Sequence, residues 1–308
     1  MKILITDKLA TEGVEKLKNA GFEVEEDLET KGAELAKKMS EEKFDALIVR
    51  SGTKVTKEII DAAQGLKVIG RAGAGLDNID LEAAKARGIT VLNSPGGNTI
   101  SAAEHTMAMM LALCRNIPQC YEGLAKREWN RKKYKGVELY HKTLGIIGLG
   151  RIGQEVAKRA KAFEMRVIAS DPFALSEVFK ELGVEKVEPE TLFKESDFVT
   201  VHVPKNEKTT NLIGKKEFEQ MKEGVRIINV ARGGIINEKA LLEALQSGKV
   251  AGAALDVYEK EPPEFWDLLK LENVVHTSHL GALTKEAQTR CGTEIADKVI
   301  AELGKQDS

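Results

Sequence analysis

The chain alternates between short apolar runs and longer amphipathic segments that carry most of the charge. Between the apolar runs, helical periodicity places helices at residues 12–20, 33–38 and 81–87. Such alternation is typical of a parallel sheet whose strands are joined by crossover helices. The apolar runs predict strands at residues 2–6, 22–25, 46–49, 67–70 and 90–92.

The pattern changes near residue 98, where a longer helix is predicted. Ser101 and Glu104 have the spacing of a capping box, so we expect the helix to begin there and to end before Pro118. The stretch that follows, residues 126–135, is hydrophilic and basic and also contains Trp129. We interpret it as a connection or arm, outside any core.

A second series of apolar runs begins at residue 143 and also predicts strands. Several of these runs are apolar on both faces, as central strands of a doubly covered parallel sheet are. The last helical segment, residues 285–303, has no strand after it and is expected to pack elsewhere. The predicted strands of this series are residues 143–147, 166–170, 198–203, 225–230, 251–257 and 273–277.

A glycine-rich loop joins the strand at 143–147 to a helix predicted at 154–163. Gly148, Gly150 and Gly153 permit a tight turn, a close backbone approach to a pyrophosphate and tight helix packing. The helix N-terminus then offers free N–H groups to phosphate. Asp171 ends the next strand, where a carboxylate binds both ribose hydroxyls and repels a 2′-phosphate, which favours NAD over NADP. The alternative is a tight turn with a solvent-facing aspartate.

A second glycine cluster, residues 70–75, follows the strand at 67–70 with a different spacing. Its successive N–H groups suit an anion such as a carboxylate, but a simple glycine-rich turn explains the cluster equally well.

Three side chains that follow predicted strands suit catalysis on an acid. His279 is the candidate proton carrier, Glu261 is able to orient an imidazole, and Arg232 suits bidentate binding of a carboxylate. Spacing alone does not establish that the three meet. We assign the other histidines to packing or surface positions, namely His105, His141, His202 and His276.

Composition narrows the class of protein. The 308 residues suggest two domains, and 46 basic against 48 acidic side chains argue against a nucleic-acid or anionic-membrane partner. The longest apolar run, residues 107–114, is too short to span a bilayer, and the N-terminus lacks a signal-peptide pattern. Three cysteines cannot all pair and match no metal spacing, so we expect a reducing, cytoplasmic location.

Four motifs resemble the D-isomer-specific 2-hydroxyacid dehydrogenase family: GLGRIGQEVA, VARGGIINEKALLEAL, AGAALDVYEKEPP and HLGALTKEAQ. The resemblance implies a Rossmann NAD-binding domain, residues 99–284, inserted into a flavodoxin-like substrate-binding domain formed by residues 1–98 and 285–308. It also implies that Arg232 binds the 2-oxo acid and that His279, paired with Glu261, exchanges the proton. The implied NAD contacts are Gly148, Gly150, Arg151, Ile152, Gly153, Asp171, Val203, Val230, Ala231, Asp256, Gly281 and Ala282.

The N-terminal motifs LIVRSGTKVT, VIGRAGAGLDNIDLEAA and NSPGGNTISAAEHT are similar to one branch of that family. The branch oxidises 3-phospho-D-glycerate to 3-phosphohydroxypyruvate with NAD, at the start of serine biosynthesis. A hydroxypyruvate or glyoxylate reductase, or a dinucleotide-sensing protein like a transcriptional co-repressor, stays an alternative. The branch implies substrate contacts from Arg50, Ser51, Arg71, Ala72, Gly73, Asn98 and Arg131.

The resemblance further implies a homodimer formed through the cofactor domain and an arm at residues 107–136, with exposed methionines and Trp129. Two departures from the branch, Ser278 in place of proline and Leu283 in place of serine, are expected to loosen the His279 loop and alter NAD affinity. Because the chain ends at Ser308, we expect no regulatory domain and no feedback by serine.

Overall fold

The computed structural model describes residues 1–305, which form two compact units. The first comprises Met1–Thr99 and the described residues from Ala282 onward, and the second comprises Ile100–Gly281. Each unit contains one all-parallel sheet with helices between its strands, so the predicted α/β class is confirmed. The last three residues of the predicted 285–308 segment lie outside the described part of the chain.

The first unit has a five-stranded sheet in the order β2-β1-β3-β4-β5, which is the flavodoxin-like order. All four residues of the central strand β3 are buried, which explains its uniformly apolar sequence. The strands are β1 (Lys2–Ile5), β2 (Glu23–Glu26), β3 (Ala46–Val49), β4 (Val68–Arg71) and β5 (Thr90–Asn93). The helices between them are α1 (Thr11–Asn19), α2 (Gly32–Glu41), α3 (Lys57–Ala62) and α4 (Leu81–Ala86).

The second unit has a seven-stranded sheet in the order β12-β11-β10-β9-β6-β7-β8. This is the Rossmann order with one added strand, and its switch point lies between β6 and β9, where dinucleotides bind. The strands are β6 (Thr143–Ile147), β7 (Arg166–Ser170), β8 (Glu185–Lys186), β9 (Phe198–Val201), β10 (Val225–Asn229), β11 (Val250–Leu255) and β12 (Val274–His276).

Eight helices accompany this sheet among the described residues. They are α5 (Thr99–Arg115), α6 (Ile117–Ala125), α7 (Arg151–Ala162), α8 (Ser176–Leu182), α9 (Pro189–Glu195), α10 (Lys215–Gln220), α11 (Glu238–Gln246) and α12 (Trp266–Leu269). Throughout residues 1–305, no helix combines the length and the apolar character needed to cross a membrane.

The limits of the predicted long helix were wrong. Helix α5 begins at Thr99, so Ser101 lies buried inside its first turn and is not the capping residue. The helix ends at Arg115 because Asn116 adopts a left-handed conformation, and Pro118 lies in the first turn of α6. Proline is tolerated there because the first-turn N–H groups have no partner within a helix.

The methionines of α5 are buried, and the expectation that they are exposed was wrong. Met107, Met109 and Met110 have at most 5% of their surface exposed and pack into the core of the second unit. Trp129, in contrast, is 78% exposed. The apolar side chains of α5 therefore belong to the core, while Trp129, in the segment after α6, does not.

The last helix, α13 (Lys285–Lys305), packs against α1 and the strands β4 and β5 of the first unit. A Cβ atom at Gly13 would lie 2.6 Å from the carbonyl oxygen of Gly292, so the two helix backbones touch. The close approach of two small residues explains how this helix is held without a strand of its own.

Candidate active site

The glycine-rich loop lies at the switch point of the second sheet. Gly148 has a φ of +93°, and a Cβ atom there would lie 2.7 Å from the carbonyl oxygen of His202, which follows β9. A Cβ atom at Gly153 would lie 2.2 Å from the carbonyl oxygen of Gly148. At Gly150 no heavy atom lies within 4 Å of the Cβ position. The loop is thus tightly packed on the protein side and open at the N-terminus of α7, which fits a pyrophosphate group.

Asp171 lies beside this loop at the end of β7, partly buried. Its Oδ1 accepts hydrogen bonds from the N–H groups of Phe173 (2.8 Å) and Ala174 (3.1 Å). Its Oδ2 accepts one from the N–H of Leu149 (2.7 Å) and so keeps a lone pair for a ribose hydroxyl. These bonds orient the carboxylate beside the glycine loop, as cofactor binding requires.

The other NAD-binding residues predicted for the second unit lie along the same carboxyl edge of its sheet. Arg151 and Ile152 form the first turn of α7, and Val203 follows β9. Val230 and Ala231 come directly after β10. A Cβ atom at Gly148 would lie 2.7 Å from the Cγ1 atom of Val203, which places that side chain against the glycine loop.

Arg232, Glu261 and His279 follow three adjacent strands, β10, β11 and β12. His279 Nδ1 lies 2.7 Å from Glu261 Oε2, and about two fifths of each side chain is exposed (40% and 38%). The carboxyl ends of parallel strands share one edge of a sheet, which explains how residues 18 apart in sequence become hydrogen-bonded.

The electrostatics of this pair favour an ionised glutamate. Burial alone would raise the pKa of Glu261, but the hydrogen bond and the charge of His279 lower it below its usual range. The N–H of Tyr258 also donates to Glu261 Oε1 (3.2 Å). An ionised Glu261 accepts a hydrogen bond from Nδ1–H of His279, so the Nε2 atom is the one able to exchange a proton with another molecule.

Arg232 lies in a loop that packs against the Glu261 loop. A Cβ atom at Gly233 would lie 1.6 Å from the carbonyl oxygen of Tyr258, so only glycine fits between them. Buried Asn229 donates to the carbonyl oxygen of Arg232 (2.9 Å) and accepts from the N–H of Ala231 (3.0 Å). Asn229 was not among the residues predicted from the sequence, although the amide before the arginine motif is visible in NVARGG.

Asp256 is completely buried and holds the His279 loop. Its carboxylate accepts from the N–H groups of Leu280 (2.7 Å) and Gly281 (2.8 Å) and from the Thr277 hydroxyl (2.6 Å). Burial raises the pKa of Asp256, but hydrogen bonds from His105, Thr277 and the two N–H groups bring it below its usual range. This support of the loop was not predicted from the sequence, and direct contact of Asp256 with NAD stays a prediction.

In the first unit, Arg50 and Ser51 follow β3, while Arg71 ends the neighbouring strand β4. The Asp7 carboxylate accepts from the N–H groups of Arg50 (2.6 Å) and Thr53 (3.0 Å), which shapes the loop after β3. A Cβ atom at Gly73 would lie 1.7 Å from Arg71 Nη1, so the guanidinium covers the glycine backbone. One arginine thus directly follows β3, and the other is the last residue of the neighbouring strand β4.

The remaining predicted substrate and loop residues are placed as follows. Ala72, next to Arg71, donates its N–H to the carbonyl oxygen of Val49 (2.9 Å). Asn98 Oδ1 is buried and accepts no hydrogen bond within residues 1–305. Arg131 is exposed in the segment between α6 and β6 of the second unit. Ala282 begins the second segment of the first unit, directly after Gly281.

The second unit matches a known family. Residues 107–281 match the model of the D-isomer specific 2-hydroxyacid dehydrogenase NAD-binding domain. The chain therefore belongs to this family, as its motifs predict.

Two relatives that match almost the whole chain carry the same name. The chain is 52% identical over 301 residues, 97% of its length, to the D-3-phosphoglycerate dehydrogenase of Archaeoglobus fulgidus. It is 47% identical over 308 residues to that of Bacillus subtilis, again across 97% of this chain. It spans a little over half of those two relatives, 57% and 56% of their lengths.

A solved structure matches almost the whole chain. A glyoxylate reductase from Paecilomyes thermophila superposes with a TM-score of 0.91 at 31% identity, covering 99% of this chain and 96% of that one. Similar structures in this family thus include a reductase of an unphosphorylated acid, so the fold alone does not select the substrate.

The glycine loop yields a paired test. Gly150→Val places a side chain in open space with an allowed backbone φ of −72°, so we expect NADH affinity to fall at least about tenfold with an unchanged melting temperature. Gly153→Ala instead meets the Gly148 carbonyl oxygen and is expected to lower the melting temperature by about 3–6 °C. Fluorescence titration and thermal unfolding measure both. Unchanged NADH affinity in the Gly150 variant contradicts pyrophosphate binding at this loop.

Proposed function

We propose that this chain catalyses the NAD-dependent oxidation of 3-phospho-D-glycerate to 3-phosphohydroxypyruvate. The observation that carries the proposal is the 2.7 Å His279–Glu261 pair at the edge of the NAD-binding sheet. It occurs in a chain 52% identical over 301 residues to a protein named D-3-phosphoglycerate dehydrogenase.

The proposed chemistry divides between a proton and a hydride. NAD, when bound, accepts the hydride that leaves C2 of the substrate. The Nε2 atom of His279 takes the proton of the C2 hydroxyl, and the Glu261 carboxylate stabilises the imidazolium that forms. Arg232 binds the substrate carboxylate through its planar fork and, in the reverse direction, polarises the C2 carbonyl.

The phosphate of the substrate requires further cations, which the proposal assigns to the first unit. Arg50 and Arg71 lie at the carboxyl ends of the adjacent strands β3 and β4, and bidentate guanidinium groups suit a phosphate dianion. Ser51, the backbone of Ala72 and Gly73, and Asn98 complete the proposed substrate contacts, and Arg131 is the further cation that we assign from the second unit.

We also propose a homodimer formed through the second unit. The support is the exposure of large apolar side chains on α6 and the arm, where Tyr121 is 77% and Trp129 is 78% exposed. Large exposed apolar side chains are the groups that a protein interface typically covers, and we expect a second copy of the chain to cover these.

The deciding experiment compares NADH oxidation with phosphohydroxypyruvate, hydroxypyruvate and glyoxylate. We expect kcat/KM for the phosphorylated acid to exceed the others by at least about tenfold, or about 1.4 kcal/mol. Arg50→Gln is expected to remove most of this preference, while the matched change Lys37→Gln, on an exposed lysine of α2, leaves it intact.

The other outcomes have distinct meanings. Equal rates, or a preference for hydroxypyruvate or glyoxylate, overturn the phosphoglycerate assignment in favour of a reductase. NADH binding without turnover of any of the three acids supports a dinucleotide sensor instead.

A further inference from the structure

The loop that carries His279 depends on one buried carboxylate. Asp256 follows β11 and receives the N–H groups of Leu280 and Gly281, while its own carbonyl oxygen accepts from the N–H of His279 (2.8 Å). His279 has a φ of +56°, a backbone conformation that residues other than glycine seldom adopt without support. The position of His279 therefore depends on the orientation of the Asp256 carboxylate.

A histidine on α5 reaches the same carboxylate from the other side. His105 Nε2 lies 3.0 Å from Thr277 Oγ1 and 3.3 Å from Asp256 Oδ1. The Thr277 hydroxyl donates its one proton to Asp256 Oδ1 (2.6 Å), so its oxygen accepts from His105. The His105 ring therefore carries a proton on Nε2. His105 donates to Thr277, Thr277 donates to Asp256, and Asp256 in turn accepts the N–H groups of the His279 loop.

The charge of Asp256 makes this donor important. The carboxylate is completely buried, and a buried charge needs strong hydrogen bonds or a nearby positive group. Among residues 1–305, His105 is the basic side chain that lies within 4 Å of it. The His105 side chain is 20% exposed, so it sits at the rim of the core.

We propose that His105 is a positioning residue for His279. Together with Thr277, it holds the Asp256 carboxylate in the orientation that binds the N–H groups of Leu280 and Gly281 and so keeps His279 against Glu261. The inference rests on the proposed function for its kinetic consequence, while its structural consequence is independent of any substrate. From the sequence, His105 was assigned to packing or a surface position on the long helix. The structure brings it to Thr277, from which 172 residues separate it.

The test uses two substitutions of the same histidine. His105→Leu removes the donor, and we expect kcat to fall about tenfold with KM for the 2-oxo acid within about twofold. His105→Gln restores an N–H donor and is expected to recover kcat to within about threefold of the original protein. The matched control is His276→Gln, an exposed histidine on β12 next to Thr277, which is expected to change neither constant.

A second readout does not depend on activity. Hydrogen–deuterium exchange at the amides of Leu280 and Gly281 is expected to accelerate at least about tenfold in His105→Leu and to return towards the original rate in His105→Gln. Thr277→Val removes the hydroxyl between His105 and Asp256. It is expected to accelerate exchange at the same amides, which keeps the test decisive if His105→Leu folds poorly.

The outcomes separate this inference from the proposed function. Protected amides and an unchanged kcat in His105→Leu overturn the positioning role of His105. A loss of kcat that His105→Gln fails to recover, together with a global fall in melting temperature, overturns it as well. If the original protein turns over none of the 2-oxo acids, the proposed function fails, and the exchange rates at Leu280 and Gly281 still decide the role of His105.

Discussion

His279→Ala is expected to lower kcat by about 10²–10⁴-fold while NADH affinity stays within about threefold. The imidazole contacts Glu261 at 2.7 Å and is the group we assign to proton transfer, but it lies outside the glycine loop that we assign to the pyrophosphate. Steady-state kinetics with the preferred 2-oxo acid give the first quantity, and NADH fluorescence titration gives the second.

The control for this variant is His276→Ala, an exposed histidine three residues earlier in the same segment. Its kinetic constants are expected to match those of the original protein. Unchanged turnover in His279→Ala would refute acid–base catalysis by this histidine. A parallel loss in the His276 variant would instead point to general disturbance of β12 and its loop.

Arg232→Lys is expected to lower kcat/KM by about 10²–10³-fold, nearly as much as Arg232→Met. Lysine retains the charge but lacks the planar fork, so it cannot bind a carboxylate through two parallel hydrogen bonds. NADH affinity is expected to stay within about threefold, because the glycines that we assign to NAD lie on another loop of the same edge. Kinetics and NADH titration of both variants measure the effect.

Arg159→Lys is the matched control, since Arg159 lies on α7 and forms an ion pair with Glu155 (2.6 Å). Its kcat/KM is expected to change by less than about twofold. Full activity of Arg232→Lys would show that charge alone suffices and would remove the bidentate role. A fall in NADH affinity equal to the fall in kcat/KM would assign Arg232 to the cofactor instead.

Local chemistry made several features predictable from sequence. The strand at 46–49 is uniformly apolar and buried on both faces, so its type and limits agree with β3. The glycine loop at 148–153 is encoded within six residues, because the tight turn and the helix start are both local. Residues that follow strands, such as Arg232 and His279, could be assigned to one edge because parallel strands end together.

Other features depended on contacts that no local pattern contains. The apolar face of α5 does not reveal whether Met107 and Met109 meet a core or a partner, and the structure buries both. The break at Asn116 depends on a left-handed backbone conformation that the capping-box spacing did not indicate. The apolar pattern of α5 was visible in the sequence, but the core residues that cover it lie far away along the chain.

By itself, the sequence determined the α/β class, from the alternation of apolar runs and amphipathic segments. It also determined the glycine-rich loop after β6 and the residue types at the strand ends, because each of these is carried by a few neighbouring residues. Only the tertiary structure decided that Glu261 is hydrogen-bonded to His279 and that buried Asp256 holds the His279 loop. It alone decided that His105 reaches that carboxylate from α5. The physical reason is that a buried charge is stabilised by whichever donors folding brings to it, and sequence separation does not limit that choice.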